Sequence, residues 1–168
     1  MTTRDNWGWR ARVGVFIVGN EAVPEAEWWA MAPAGVSVHA ARVTASAPWA
    51  RWREKEESVE LAEDLARGAR QFAAMRLAAV TVGHSSSSFV GGKGWDEAVV
   101  AGLSGMLGPG LFVTTNGLDT QAALRASNIR RPFLVMPAWF NDKLGASGRD
   151  YYRERRFDDA GHRRYDPG

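Results

Sequence analysis

The chain contains no cysteine, which excludes disulfides, thiolate-ligated metal sites and a cysteine nucleophile within its 168 residues. Histidine is scarce as well. His39, His84 and His162 are scattered without the spacing of a ligand set, so no metal is expected. No apolar run approaches the ~20 residues that a membrane-spanning helix needs, and the opening Met1-Thr2-Thr3-Arg4-Asp5 lacks the apolar stretch of a secretory signal. An excess of charge of one sign is missing too. The net charge is +2, and Lys and Arg are interspersed with Asp and Glu, leaving no basic stripe for nucleic acid. Together these absences predict a cytoplasmic protein with neither a membrane nor a nucleic-acid partner.

What is present is an ordinary globular composition, 45% hydrophobic and 24% charged, sufficient for one proper core but not for a large second one. Arg12 to Val18 (RVGVFIV) and Val36 to Val43 (VSVHAARV) read as buried strands, with His39 a satisfied structural residue. Between them Pro24 and Glu25 open a short helix whose Trp28, Trp29 and Met31 read as packing. Thr44 to Arg53, carrying Pro48, Trp49 and Trp52, reads as a loop, with a flap over a crevice as one use for it. From Glu54 to Met75 the positions Val59, Ala62, Leu65, Ala66, Ala69, Phe72 and Ala73 follow three-and-four spacing and predict one helix with a buried face. Leu77 to Val82, Leu111 to Thr115 and Pro132 to Met136 read as further strands. They alternate with helices over Trp95 to Leu107, Leu118 to Ala126 and Asn141 to Arg156. Such alternation specifies an α/β fold, an open and mainly parallel sheet with helices on both faces.

The stretch Leu77 to Gly94, LAAVTVGHSSSSFVGGKG, is the most distinctive. A buried strand gives way to one imidazole and four hydroxyls within Gly83 to Ser88, read as a polar loop beyond the strand's carboxyl end, where ligands of open α/β sheets sit. A small anion suits it. Gly92-Lys93 resembles the end of a nucleotide P-loop, but Ser87 and Gly94 stand where that motif needs Gly and Ser or Thr. Gly83-His84-Ser85-Ser86-Ser87 nearly spells the G-x-S-x-G nucleophile elbow and lacks its last glycine, which leaves a serine hydrolase using Ser85 as the weaker alternative.

Three blocks taken together carry a resemblance: RVGVFIVGNEAVPEAEWWAMAPAGVSVHAARV, then GHSSSSFVGG, then FVTTNGLDTQAALRASNIRRPFLVMPAWFND. In order and spacing the chain resembles the aspartate/glutamate racemase superfamily, most closely its maleate cis-trans isomerase and arylmalonate decarboxylase branch. The resemblance implies one lobe of a pseudo-symmetric two-lobed α/β fold, over 1–115, and the beginning of a second over 116–168. It implies cofactor-independent chemistry on a small dicarboxylate or malonate, by proton transfer or by decarboxylation through an enolate-like anion. A homodimer is a reasonable assembly on the same ground. By matching, His84 falls on the family's first catalytic cysteine, Ser85, Ser86 and Ser88 on its hydroxyl positions, Asn20 on its first-loop asparagine and Trp139 on its substrate-binding tyrosine. Histidine cannot form the thioether that an isomerase cysteine forms, although its ordinary pKa near ~6.5 suits proton transfer. Because the family's second reacting residue lies in the other lobe, these 168 residues alone are expected to bind a carboxylate rather than turn it over. The alternative is accordingly a non-catalytic, carboxylate-binding relative or fragment. The tail from Phe157, with Phe157 and Tyr165 as its apolar-aromatic positions, offers no second core, and the surface around Phe133, Leu134, Val135 and Trp139 is expected to be exposed.

Overall fold

A computed structural model describes residues 5–165. Strand β1 (Ala11–Val18) pairs in parallel with β2 (Val36–Val43) on one side and β5 (Ala79–Val82) on the other, and β6 (Phe112–Thr115) completes the order β2-β1-β5-β6. The expected open, parallel α/β sheet is therefore present. The inner strands are apolar apart from Arg12 and Thr81, as strands covered on both faces tend to be. Phe16, Val80 and Val82 point to one face, where they meet Leu65, Ala69 and Phe72 of α2 (Glu63–Ala73) and Val99 and Leu103 of α4 (Trp95–Leu107). Val15 and Ile17 point to the other, beneath Trp28 and Ala32 at α1 (Val23–Met31). On that second face Thr81 and Thr114, side by side in register, both donate to Asp119 of α5 (Asn116–Ala126). Of the three α1 residues read as packing, only Trp28 joins a core; Trp29 is partly exposed and Met31 largely so.

The segment expected to be a loop followed by one long helix is built differently. Trp52 and Arg53 belong to β3 (Ala50–Arg53), a 3₁₀ turn spans Glu54–Glu56, and β4 (Ser58–Leu61) returns antiparallel to β3. Only α2 remains of the helix. Glu57 takes a left-handed φ of 45° to make the turn, and Val59 and Leu61, two apart on one strand face, pack onto the core and approach Gly102 of α4. Tertiary packing thus overrides a helical spacing. The hairpin is no free flap. Asp64 accepts from the backbone N–H and hydroxyl of Thr44, the Trp49 indole donates to the Ala45 carbonyl at 3.0 Å, and the Trp95 indole donates to the Ala50 carbonyl at 2.8 Å.

The serine stretch is likewise a helix rather than a loop: α3 (Ser85–Gly91) follows β5 directly, with His84 extended at its N-cap position. Beyond α5, β7 (Leu134–Met136) does not extend the main sheet; it pairs in parallel with β8 (His162–Arg164), formed by the tail. Between them α6 (Asp142–Glu154) packs on α3. Close approach depends on Gly148, where a Cβ would sit 3.1 Å from both Met136 and the Phe89 ring. Tyr151, Tyr152 and Phe157 are buried there beside Phe89, so the tail contributes Phe157 to an aromatic cluster. Phe133, Val135 and Trp139 are exposed as expected, whereas Leu134 turns inward onto that cluster. Among the described residues no helix is long and apolar enough to cross a membrane.

Candidate functional site

Because β1, β2, β5 and β6 run in parallel, the residues that follow them gather at one edge of the sheet: Gly19 and Asn20, Thr44 and Ala45, Gly83 to Ser86, and Asn116. At its centre is His84, directly after β5. Its imidazole stacks on the fully buried Trp49 ring, centroids 4.1 Å apart and planes 15° from parallel, and its Nδ1 lies 2.8 Å from the Ser87 hydroxyl. Burial pulls its pKa down from 6.5 to about 4, so the ring is neutral near pH 7. Hydrogen-bond accounting fixes the tautomer. The wholly buried Ser87 Oγ accepts from the Trp49 backbone N–H at 2.9 Å, and among the described residues the acceptor for its own proton is His84 Nδ1. Ser87 therefore donates to Nδ1, and His84 carries its proton on Nε2.

The helical turn of α3 divides the remaining serines. The Ser85 hydroxyl accepts from the Asn116 side-chain amide at 2.6 Å and lines a cavity of about 360 Å³ walled by Phe89, Phe133, Met136, Phe140 and Tyr152. Ser86 is half-buried, and its hydroxyl has no hydrogen-bond partner among the described residues. Ser88, 1% exposed, donates to Asp96 at 2.7 Å and is held in the interior, away from the edge where a substrate-binding hydroxyl was expected. Asn20 lies exposed in the turn after β1, on the same edge as His84. Trp139 is 77% exposed; its neighbour Phe140, not Trp139, faces the cavity with Ser85. No imidazole bonds Ser85, since His84 is taken by Ser87, His39 by Ser37 at 2.9 Å, and His162 is on β8, so the hydrolase arrangement is not assembled. Among the described residues no group of three or more His, Asp or Glu side chains is placed to hold a metal.

Sequence reasoning missed Asp96, in the first turn of α4. It is fully buried. Its Oδ1 accepts from Ser88 and from Thr115 at 2.6 Å, and its Oδ2 from the Tyr151 hydroxyl at 2.7 Å and an Arg155 guanidinium N–H at 3.1 Å. Burial first, then the neighbouring carboxylate, raises the Tyr151 phenol above its ordinary range. The signal lay in the periodicity, because Asp96 is in phase with Val99 and Leu103 on the buried face of α4. Trp49 and Asn116 were also passed over as site residues.

With this geometry the fold is that of the maleate isomerases and arylmalonate decarboxylase. A maleate isomerase from Pseudomonas putida S16 with maleate superimposes with a TM-score of 0.73 at 17% identity, over 92% of this chain and 63% of that one. The Nocardia farcinica maleate cis-trans isomerase bound to TRIS gives 0.72 at 17% identity, over 92% and 62%. Unliganded arylmalonate decarboxylase gives 0.65 at 18%, over 92% and 61%. The chain thus spans less than two-thirds of the length of these solved chains. No family model matches it, and no curated protein matches it in sequence.

Proposed function

We propose that the edge formed by His84, Ser85 and Ser86 binds a carboxylate of a small dicarboxylate or substituted malonate, as the first half of a cofactor-independent isomerase or decarboxylase site. The observation that carries this reading is the half-buried, unengaged Ser86 hydroxyl, which follows the neutral His84 by two residues and Ser85, on the wall of a largely apolar cavity, by one. A hydroxyl donor aimed at a carboxylate strengthens as negative charge grows on that group, which is what an enolate-like anion requires. The neutral imidazole offers its Nε2–H as a hydrogen-bond donor to the carboxylate or the developing enolate-like oxygen, and its protonated form, favoured by a bound anion, is the acid that can return a proton to the substrate. The apolar cavity beside Ser85 would take a non-polar substituent of the substrate, which favours a substituted malonate over bare maleate. The structural likeness to maleate isomerases and arylmalonate decarboxylase supports the same substrate class.

The test is calorimetric titration with malonate, phenylmalonate and maleate, on the parent chain and on Ser85→Ala/Ser86→Ala. Each charge-assisted hydrogen bond is worth roughly 1.5–3 kcal/mol, so the double variant should bind about 10-fold or more weakly. A bound dianion should raise the pKa of His84, so affinity should increase as pH falls through the range in which His84 takes up a proton. Equal affinity in parent and double variant would overturn the site. Binding without turnover, followed by proton NMR of the substrate, would leave a carboxylate-binding protein.

A further inference from the structure

The Ser85 to Asn116 hydrogen bond is the polar link between the head of α3 and the head of α5 at the candidate site. Each of its two residues stands close to a hydrogen bond to the same buried carboxylate. Ser85 is one helical turn before Ser88, which donates to Asp96 Oδ1; Asn116 directly follows Thr115, which donates to the same oxygen. The second oxygen of Asp96 is held from α6 by Tyr151 and Arg155, and Tyr151 in turn accepts from Gln121 of α5 at 2.8 Å. The Arg155 guanidinium also lies 3.8 Å from the centroid of the Tyr151 ring, which holds both donors in one place. The packing leaves no slack: a Cβ on Gly117 would fall 2.8 Å from the Ser88 hydroxyl and closer still to that of Tyr151.

We infer that Asp96 is a positioning residue for the site, fixing the spacing between Ser85 and Asn116 through its shared bonds to Ser88 and Thr115, while Tyr151 and Arg155 fix Asp96 itself from α6. A carboxylate suits the task because it is acceptor-only and takes several donors at once. A single oxygen receiving both Ser88 and Thr115 ties α3 to the start of α5 more tightly than two separate bonds to backbone would. The inference rests on the reading of Ser85 and Ser86 as the carboxylate site, but its structural half is measurable without any ligand.

The experiment compares Asp96→Asn with Phe72→Leu in the whole chain. Phe72→Leu thins the packing of α2 on Phe16 and shares none of the Asp96 hydrogen bonds, so it serves as the control for lost stability alone. Three quantities are read: the melting temperature, the side-chain amide resonances of Asn116 in the ligand-free protein, and malonate affinity. Asp96→Asn should shift the Asn116 amide pair, speed its exchange with water and weaken malonate binding by about 10-fold or more, as loss of one charge-assisted bond would. Phe72→Leu should lower the melting temperature while leaving the Asn116 resonances in place and the affinity within about twofold. Where Asp96→Asn does not fold, Ser88→Ala, which cuts only the α3 link, takes its place, read on the Asn116 resonances. Unmoved Asn116 resonances in the site-side variant, or equal shifts in the control, would overturn the inference. Should the parent chain bind no malonate, the function proposed above fails, and the Asn116 resonances still decide this inference.

Discussion

Lowering the pH should destabilise this protein through His84 in a window that can be separated from the carboxylates. Burial sets the folded-state pKa at about 4 against an unfolded value of 6.5. Below 6.5 the unfolded chain takes up a proton that the folded chain refuses, so stability is fully present above the unfolded value, falls as pH drops, and levels off below about 4. At about 1.4 kcal/mol per pKa unit, the shift corresponds to roughly 3 kcal/mol in total, a large share of the marginal stability of a small domain. Asp159 acts in a different window. The Arg149 hydrogen bond, with help from the Gly161 N–H, lowers its pKa from 3.8 to about 2, so its contribution is present above 3.8 and is lost as pH falls toward 2. Urea unfolding of the parent and of His84→Gln, from about pH 7 to about pH 4.5, isolates the histidine term. The parent should lose stability steeply across this range and the variant should show a much flatter profile. An equal slope in both, or an NMR titration placing His84 near 6.5 in the folded chain, would refute the burial argument.

Trp49→Phe should remove the bond to the Ala45 carbonyl and open the stack over the imidazole, raising the His84 pKa toward its ordinary value in an NMR titration. Gly117→Ala places a Cβ against the Tyr151 and Ser88 hydroxyls and should cost about 3 kcal/mol or more in chemical denaturation, the upper range for overpacking. Ser86→Ala should weaken malonate binding with stability changed by less than about 0.5 kcal/mol, the usual limit for a side chain making no internal bond. Ser87→Ala, in contrast, strips a partner from both the Trp49 N–H and His84 and should lower stability by about 1–3 kcal/mol.

The parts of the fold legible in the sequence were those marked by local punctuation. The helix Trp95–Leu107 was readable to its ends because Gly94 and Gly108, both at positive φ, bracket it. Strand Val36–Val43 was readable because a stretch carrying the β-branched Val36, Val38 and Val43 follows the turn at Gly35. The hairpin was not, since Val59, Ala62 and Leu65 satisfy a helical spacing even though Val59 belongs to a strand and Leu65 to the helix after it. What separates them is packing onto α4, which no local window contains. Likewise Pro132 to Met136 announces a strand but not its partner; pairing with His162–Arg164 is a contact across some thirty residues.

For the site, the sequence revealed where the hydroxyls cluster but treated four consecutive serines as one polar loop. Their difference comes from the backbone. Once Ser85 to Ser88 are wound into a helix, successive side chains turn by about 100°, so neighbours in sequence face different surroundings. Ser85 meets Asn116 and the cavity, Ser86 has no hydrogen-bond partner among the described residues, Ser87 meets Trp49 and His84, and Ser88 meets Asp96. The two serines that turn inward leave no hydroxyl unpaired in the interior, where an unmatched one would cost about 1–3 kcal/mol. Their partners come from elements far apart in the chain, the hairpin on one side and α4 on the other. The division of labour among the four is therefore a property of the assembled fold, and the same stretch held as an extended loop would present alternating hydroxyls to two faces and could not hold His84 neutral and free Ser86 together.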